Sequence, residues 1–161
     1  MRQYLGKYRG VVANNHDPLQ KGRVQVRVPA VLGESTLSWA MPCMPYAGPA
    51  EVGFFTIPPE KANVWVEFEA GDPNRPIWSG CFWGEDDEVP AREGTAEQKV
   101  LKTKVGTIKV DDSADELRIE TSRGAKIVMD SQGIEISNGK GASVKLSSNK
   151  VSINGTALEV Q

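Results

Sequence analysis

KIVMDSQGIEISNGKGASVKLSSNKVSI, residues 126–153, alternates apolar and polar side chains in short runs, each ended by Gly, Asn or Ser. Alternation with period two marks a strand with one apolar face, and the Asp, Ser, Gly and Asn clusters between runs are turn chemistry. The pattern extends in both directions. Apolar pairs at i and i+2 recur at Ile108/Val110, Leu117/Ile119, Ala125/Ile127, Ile134/Ile136, Val144/Leu146, Val151/Ile153 and Leu158/Val160, an irregular internal repeat of about eight residues. Each repeat offers one two-residue apolar face. At ~25 cal/mol per Å² of buried apolar surface, such faces cannot offset an ordering cost near 1.5 kcal/mol per residue in a lone chain. A single-chain solenoid would need turns of about twenty residues to enclose a core. Three chains around a common axis remove the difficulty, because each supplies one wall and the inward pairs meet at the centre. The predicted trimer core is therefore Ile108, Val110, Leu117, Ile119, Ile127, Ile134, Ile136, Val144, Leu146, Val151, Ile153, Leu158 and Val160. Backbone pairing between the chains would leave no lateral sheet edge exposed.

The remainder of the chain is physically different. All eleven aromatic residues, both cysteines and nine of the ten prolines lie in residues 1–83, and none of these residue types occurs in residues 91–161. Between the two pieces, GEDDEVPAREGTAEQK (84–99) carries an excess of acids and little apolar surface, which predicts a solvated linker. The expected organisation is a barrel over 1–83, a linker over 84–99 and a β-structured spike over 100–161. Each folded piece is close to electrically neutral, so neither attracts nucleic acid by charge alone. The start MRQYLGKYRGVV lacks the apolar run of a signal peptide, and no segment approaches the roughly 20 apolar residues of a membrane helix. The expectation is a protein made in the cytoplasm, with Cys43 and Cys81 as free, buried thiols.

In residues 1–83, GRVQVRVP sets Val24, Val26 and Val28 on one face against Arg23, Gln25 and Arg27 on the other. NVWVEFEAG repeats the pattern, and YLGKYRGVVAN, EVGFFTIP and RPIWSGCFWG complete a predicted set of five strands. Turn chemistry joins the first two strands through NNHDPLQKG (14–22) and the last two through AGDPNRP (70–76). The long segment AVLGESTLSWAMPCMPYAGPA is expected to run between the second and third strands. Five strands with one long excursion fit an all-β, Greek-key barrel of the oligonucleotide/oligosaccharide-binding (OB) type.

Three motifs now combine in colinear order: YRGVVANNHDPLQKGRVQVRVPAV, SWAMPCMPYAG and GFFTIPPEKANVWVEFEAGDPNRPIWSG. Together they resemble the barrel domain of central spike proteins in contractile injection machines. That family includes phage baseplate protein V spikes, the valine-glycine-repeat (VgrG-like) spikes of type VI secretion and the spikes of related extracellular particles. The resemblance covers residues 4–83. It implies an OB-fold followed by a short, intertwined trimeric β-helix, here on the order of 30 Å long from seven strand layers. It also implies a homotrimer docked on a tail tube-hub protein at the barrel end. The other end would be bare or capped by a separate PAAR-like tip protein and would face the target cell envelope, in a virion tail baseplate or extracellular injection particle. Clean V-x-G octads, a His-x-His tip and an inserted lysozyme domain, found in parts of the family, are absent.

No catalytic, cofactor or metal site is expected. Glu67 and Glu69 share a strand face at roughly 7 Å, without the further groups a glycosidase site needs. His16 and Asp17 read as turn residues beside Pro18, and the acidic run from Glu85 to Glu88 lacks the spacing of a calcium loop. The competing reading is an oligomeric glycan- or nucleic-acid-binding OB module on a β-structured stalk, with Arg23 and Arg27 as a small basic face.

Overall fold

The structure, a computed structural model, describes residues 3–91, 94–155 and 157–160, with the side chains of Leu37, Glu159 and Val160 outside that description. The chain divides into two compact units, Met1–Gly84 and Glu85–Gln161. Apart from one short helix and two 3-10 turns, the regular structure in both is β.

The first unit is a closed barrel with strand order β1-β2-β3-β5-β4. Its strands are β1 (Tyr8–Asn14), β2 (Val24–Arg27), β3 (Thr36–Pro42), β4 (Asn63–Phe68) and β5 (Pro76–Cys81), and helix α1 (Pro29–Leu32) follows β2. All pairings are antiparallel except the seam between β3 and β5, where Met41 opposes Ile77 and Pro42 opposes Trp78 in parallel. Alternation puts every second side chain inside. Val12, Val24, Val26, Val28, Ala40, Val64, Val66, Phe68 and Trp78 form the buried core. Valine suits it because a β-branched side chain is stiff and packs well on a pleated surface. The Trp78 indole N–H donates to the Gly22 carbonyl at 3.1 Å, so its polar atom is satisfied in the interior. Gly22 itself sits at φ +73°, where a Cβ would meet Ile57 Cδ1 at 2.9 Å.

Two expectations for this unit need correction. The third strand is TLSWAMP, inside the segment expected to be a long excursion, and the long connection is residues 43–62 after β3. EVGFFTIP forms no strand; only Gly53 bridges, to Ala47. Ala50 and Glu51 adopt positive φ at its start, Pro58 ends it with Pro59 following, and Phe54 and Phe55 are 59% and 74% exposed. The aromatic content of that run suggests a strand, whereas the backbone around it turns at both ends.

The second unit holds one eight-stranded sheet, ordered β13-β12-β11-β10-β9-β8-β7-β6. The strands are β6 (Gln98–Lys102), β7 (Gly106–Asp111), β8 (Glu116–Thr121), β9 (Lys126–Asp130), β10 (Gly133–Ser137), β11 (Ser143–Ser147), β12 (Lys150–Ile153) and β13 (Leu158–Val160). Each pairs antiparallel with its neighbour in sequence. Every ladder among the described strands lies within the chain, each strand pairing with its neighbours in sequence. The reason is turn length. The connections run from two to five residues, which allow hairpins and nothing longer. Seven expected layers become eight, because QKVLK at 98–102 is also a strand. At about 4.8 Å per strand the sheet extends roughly 34 Å.

Candidate assembly interface

Register decides what this sheet can do. Across successive ladders Val110 opposes Leu117, Leu117 opposes Met129 and Met129 opposes Ile134. Ile134 then opposes Leu146, Leu146 opposes Val151, and Val151 opposes Val160. A second row runs Leu101, Ile108, Ile119, Ile127, Ile136, Val144, Ile153, Leu158 in the same way. Directly opposed residues share a face. The thirteen positions predicted from the sequence therefore lie in two parallel rows on one face of one sheet; the Val160 side chain lies outside the described residues, and its place rests on backbone register.

Two members of these rows escape the apolar-pair pattern. Met129 fills the place that Ala125 was expected to take, because β9 begins at Lys126 and the pair on that strand is Ile127/Met129. The signal was present in KIVMD, whose alternation could be read from either end. Leu101 stands on β6 opposite Ile108, with Lys99 as its polar companion opposite Val110, so no i, i+2 apolar pair announced the strand.

Among the described residues of this unit, nothing covers this face. Ile108, Val110, Ile119, Ile127, Met129, Ile134, Ile136, Leu146, Ile153 and Leu158 are each 36–52% exposed. Ten such side chains present on the order of 700 Å² of apolar surface, worth roughly 15 kcal/mol per chain once covered. A monomer's largest apolar patch is typically about 300–600 Å².

The opposite face is polar and internally neutralised. Lys109 reaches Asp111 at 3.1 Å and Glu116 at 3.5 Å, Arg118 reaches Glu116 at 2.8 Å and Glu120 at 3.4 Å, and Lys126 reaches Glu135 at 3.1 Å. Asp111 is the buried charge of this face. The Ser113 hydroxyl, the Lys109 ammonium, the Gln98 amide and the Ala114 backbone N–H all donate to it, holding its carboxyl well below the usual carboxylate range against the opposing effect of burial. The Arg118 guanidinium lowers Glu116 in the same way. Val128 is buried on this side, flanked in register by Arg118 and Glu135, whose aliphatic stems lie beside it.

The barrel's candidate chemical groups are occupied with structure. Asp17 accepts backbone N–H groups from Leu19 and Lys21 and is gripped by Arg23, the closest contact being 2.6 Å, so its carboxyl is held far below its ordinary range. Arg23 also lies over the Trp39 ring. His16 sits in the same turn, 3.8 Å from Glu60. Glu67 pairs with Lys7 at 3.1 Å, whereas Glu69 has left the strand for a 3-10 turn and pairs with Arg75 at 3.0 Å. The two carboxylates do not act as a pair. Cys43 and Cys81 are free, and both are exposed rather than buried. Cys43 directly follows β3 and Cys81 is the last residue of β5, which keeps both out of the valine core.

Comparison with known proteins follows the same division. Residues 8–83, from the first residue of β1 to just past β5, match the type VI secretion system/phage-baseplate injector OB domain. Residues 98–159, beginning at the first residue of β6, match the phage baseplate V C-terminal trimerisation domain. No curated protein matches the chain. The closed barrel and the one-sided sheet are thus the two domains of one architecture, in order, and the chain belongs to the phage baseplate V family of injector spike proteins.

Proposed function

We propose that this protein is the structural central spike of a contractile phage tail baseplate or related injection particle. Residues 1–83 form the docking barrel, 84–99 the connector and 100–161 one wall of a three-walled spike. The predicted core residues from Ile108 to Val160 meet their counterparts from two other copies at the axis. The barrel end docks on the tube-hub protein, and the far end, bare or under a PAAR-like cap, helps to pierce the target envelope. No residue reacts; the work is mechanical.

The observation that carries this reading is the continuous, uncovered apolar face of the eight-stranded sheet. Exposed Phe54 and Phe55 on the β3–β4 connection give the barrel apolar surface of its own for docking. The alternative of a glycan- or nucleic-acid-binding barrel draws little support, because Arg23 is already committed to Asp17 and Trp39. Native mass measurement tests the proposal: a trimer is expected, and a stable, folded monomer at micromolar concentration would overturn it.

A further inference from the structure

Because each strand of the second unit runs across the sheet and reverses, its turns fall alternately on two lateral edges. One edge carries turns 112–115, 131–132 and 148–149; the other carries 103–105, 122–125, 138–142 and 154–157. Charge is divided between them. At strand ends or in turns, the first edge holds Glu97, Asp111, Asp112, Asp115, Glu116 and Asp130, with Lys150 as its one base in such a position. The second holds Lys102, Lys104, Arg123, Lys126 and Lys140. The acids nearest to that edge are Glu120 and Glu159, each one residue inside its strand, and Glu120 is paired with Arg118.

Some of this charge is neutralised where it stands. Asp111 and Glu116 are served by Lys109 and Arg118, Asp112 pairs with Lys99, and Lys126 with Glu135. What remains is one-sided. Among the described residues Asp115 and Asp130 on the acidic edge, and Lys102, Lys104, Arg123 and Lys140 on the basic edge, form no ion pair within the chain. Strands of five or six residues hold the edges about 17–20 Å apart, well beyond direct pairing. Like charges gathered on one edge repel, and a surface with no further task intersperses its signs.

A threefold ring removes that repulsion. A cyclic interface is head to tail, so three walls with their apolar faces inward set the first edge of each against the second edge of the next. The turns also interleave along the axis: each acidic turn lies one strand spacing, about 4.8 Å, from basic turns above and below it, a step that Lys and Arg side chains span. We propose that the two edges are complementary halves of the corner contact between copies, and that their pairing fixes the direction in which the walls close. This rests on the trimeric spike reading and adds which surfaces meet at its corners.

Charge reversal in the full chain tests it. One variant carries Lys104→Glu with Arg123→Glu, a second carries Glu97→Lys with Asp112→Lys, and a third carries all four; every position is exposed. Assembly is followed by native mass after dilution from denaturant. At low salt each two-site variant is expected to form trimers at least ~10-fold more slowly than the unmodified chain, with the difference shrinking at high salt. The four-site variant recovers the original rate. Mixed while unfolded with the unmodified chain, it sorts into separate homotrimers, since every mixed corner sets like charge against like. Asp115→Asn with Asp130→Asn removes acidic charge while keeping side chains that suit those turns, and is expected to slow assembly less. Two-site variants that assemble at the original rate, or a four-site variant no better than either, overturn the edge pairing and leave the trimer standing. An unmodified chain that stays monomeric overturns both.

Discussion

The barrel and the wall use the same strand chemistry and reach opposite outcomes. In the barrel, inward valines are closed over by the other side of their own sheet: Val24, Val26, Val28, Val64 and Val66 are 0% exposed. In the wall, Ile136 and Leu146 occupy equivalent alternating positions and stay 47% and 41% exposed. The difference lies in connectivity. The long connection 43–62 carries the chain from β3 across to β4, which pairs with β1, while β5 returns to pair with β3, so the sheet curls back on itself. Turns of two to five residues in the wall permit only neighbour-to-neighbour pairing, and such a sheet cannot close. Closure from within makes a domain; closure from outside makes a subunit.

The largest predicted effect separates these two modes. Ile136→Asp or Val144→Asp places an unpaired charge in the proposed trimer core, and trimers are expected to disappear while the barrel remains folded. Sedimentation alongside near-ultraviolet circular dichroism, which reports the barrel's aromatic core, reads both parts at once. Unchanged trimers would mean that those residues face outward.

Gly133→Ala should come next. Gly133 opens β10 at φ +131°, and a Cβ there would lie 1.9 Å from the Leu146 carbonyl oxygen. A loss of about 3 kcal/mol or a break in the β10–β11 register is expected, seen as a lower midpoint for the wall transition. Val26→Ala should cost about 2 kcal/mol through the cavity it leaves, but in the barrel transition alone. If it also dissolved the trimer, the two units would not be independent in the sense argued above.

The smallest effect concerns Asp111. Its carboxyl is depressed in the folded wall, so its contribution is present above the ordinary carboxylate range and is lost as pH falls through and below about 4. Asp111→Asn should therefore lower stability at pH 7, lower it less at pH 3, and flatten the acid limb of a denaturation profile. An identical acid limb in both proteins would show that the hydrogen bonds from Ser113, Lys109 and Gln98 carry no linkage.

The wall was largely legible in the sequence because period two with short polar turns has few readings. Where it misled, at Ala125 against Met129, both choices satisfy the alternation and only the strand start decides between them. Leu101 was hidden because Val100 and Leu101 are adjacent between Lys99 and Lys102 and so make no i, i+2 apolar pair. In the barrel the count of five strands follows from pattern, but TLSWAMP lies among Pro42, Pro45 and Pro49 and reads as loop, while the aromatic run EVGFFTIP reads as strand. Pairing with β2 and β5 across the sequence overrides the local preference of the first, and no such partner exists for the second. The separation of charge onto two edges needs the strand directions before it becomes visible.

The hairpin-by-hairpin ladder of the wall has a consequence for how such an object changes over time. Every contact in it is local in sequence, so a hairpin inserted or deleted alters height by about 9.6 Å and leaves the pairing on either side intact. Local pairing also keeps the loop-closure cost of each hairpin small, so strands can pair quickly once the apolar faces cover one another. Such a ladder can be lengthened, shortened or re-edged one hairpin at a time.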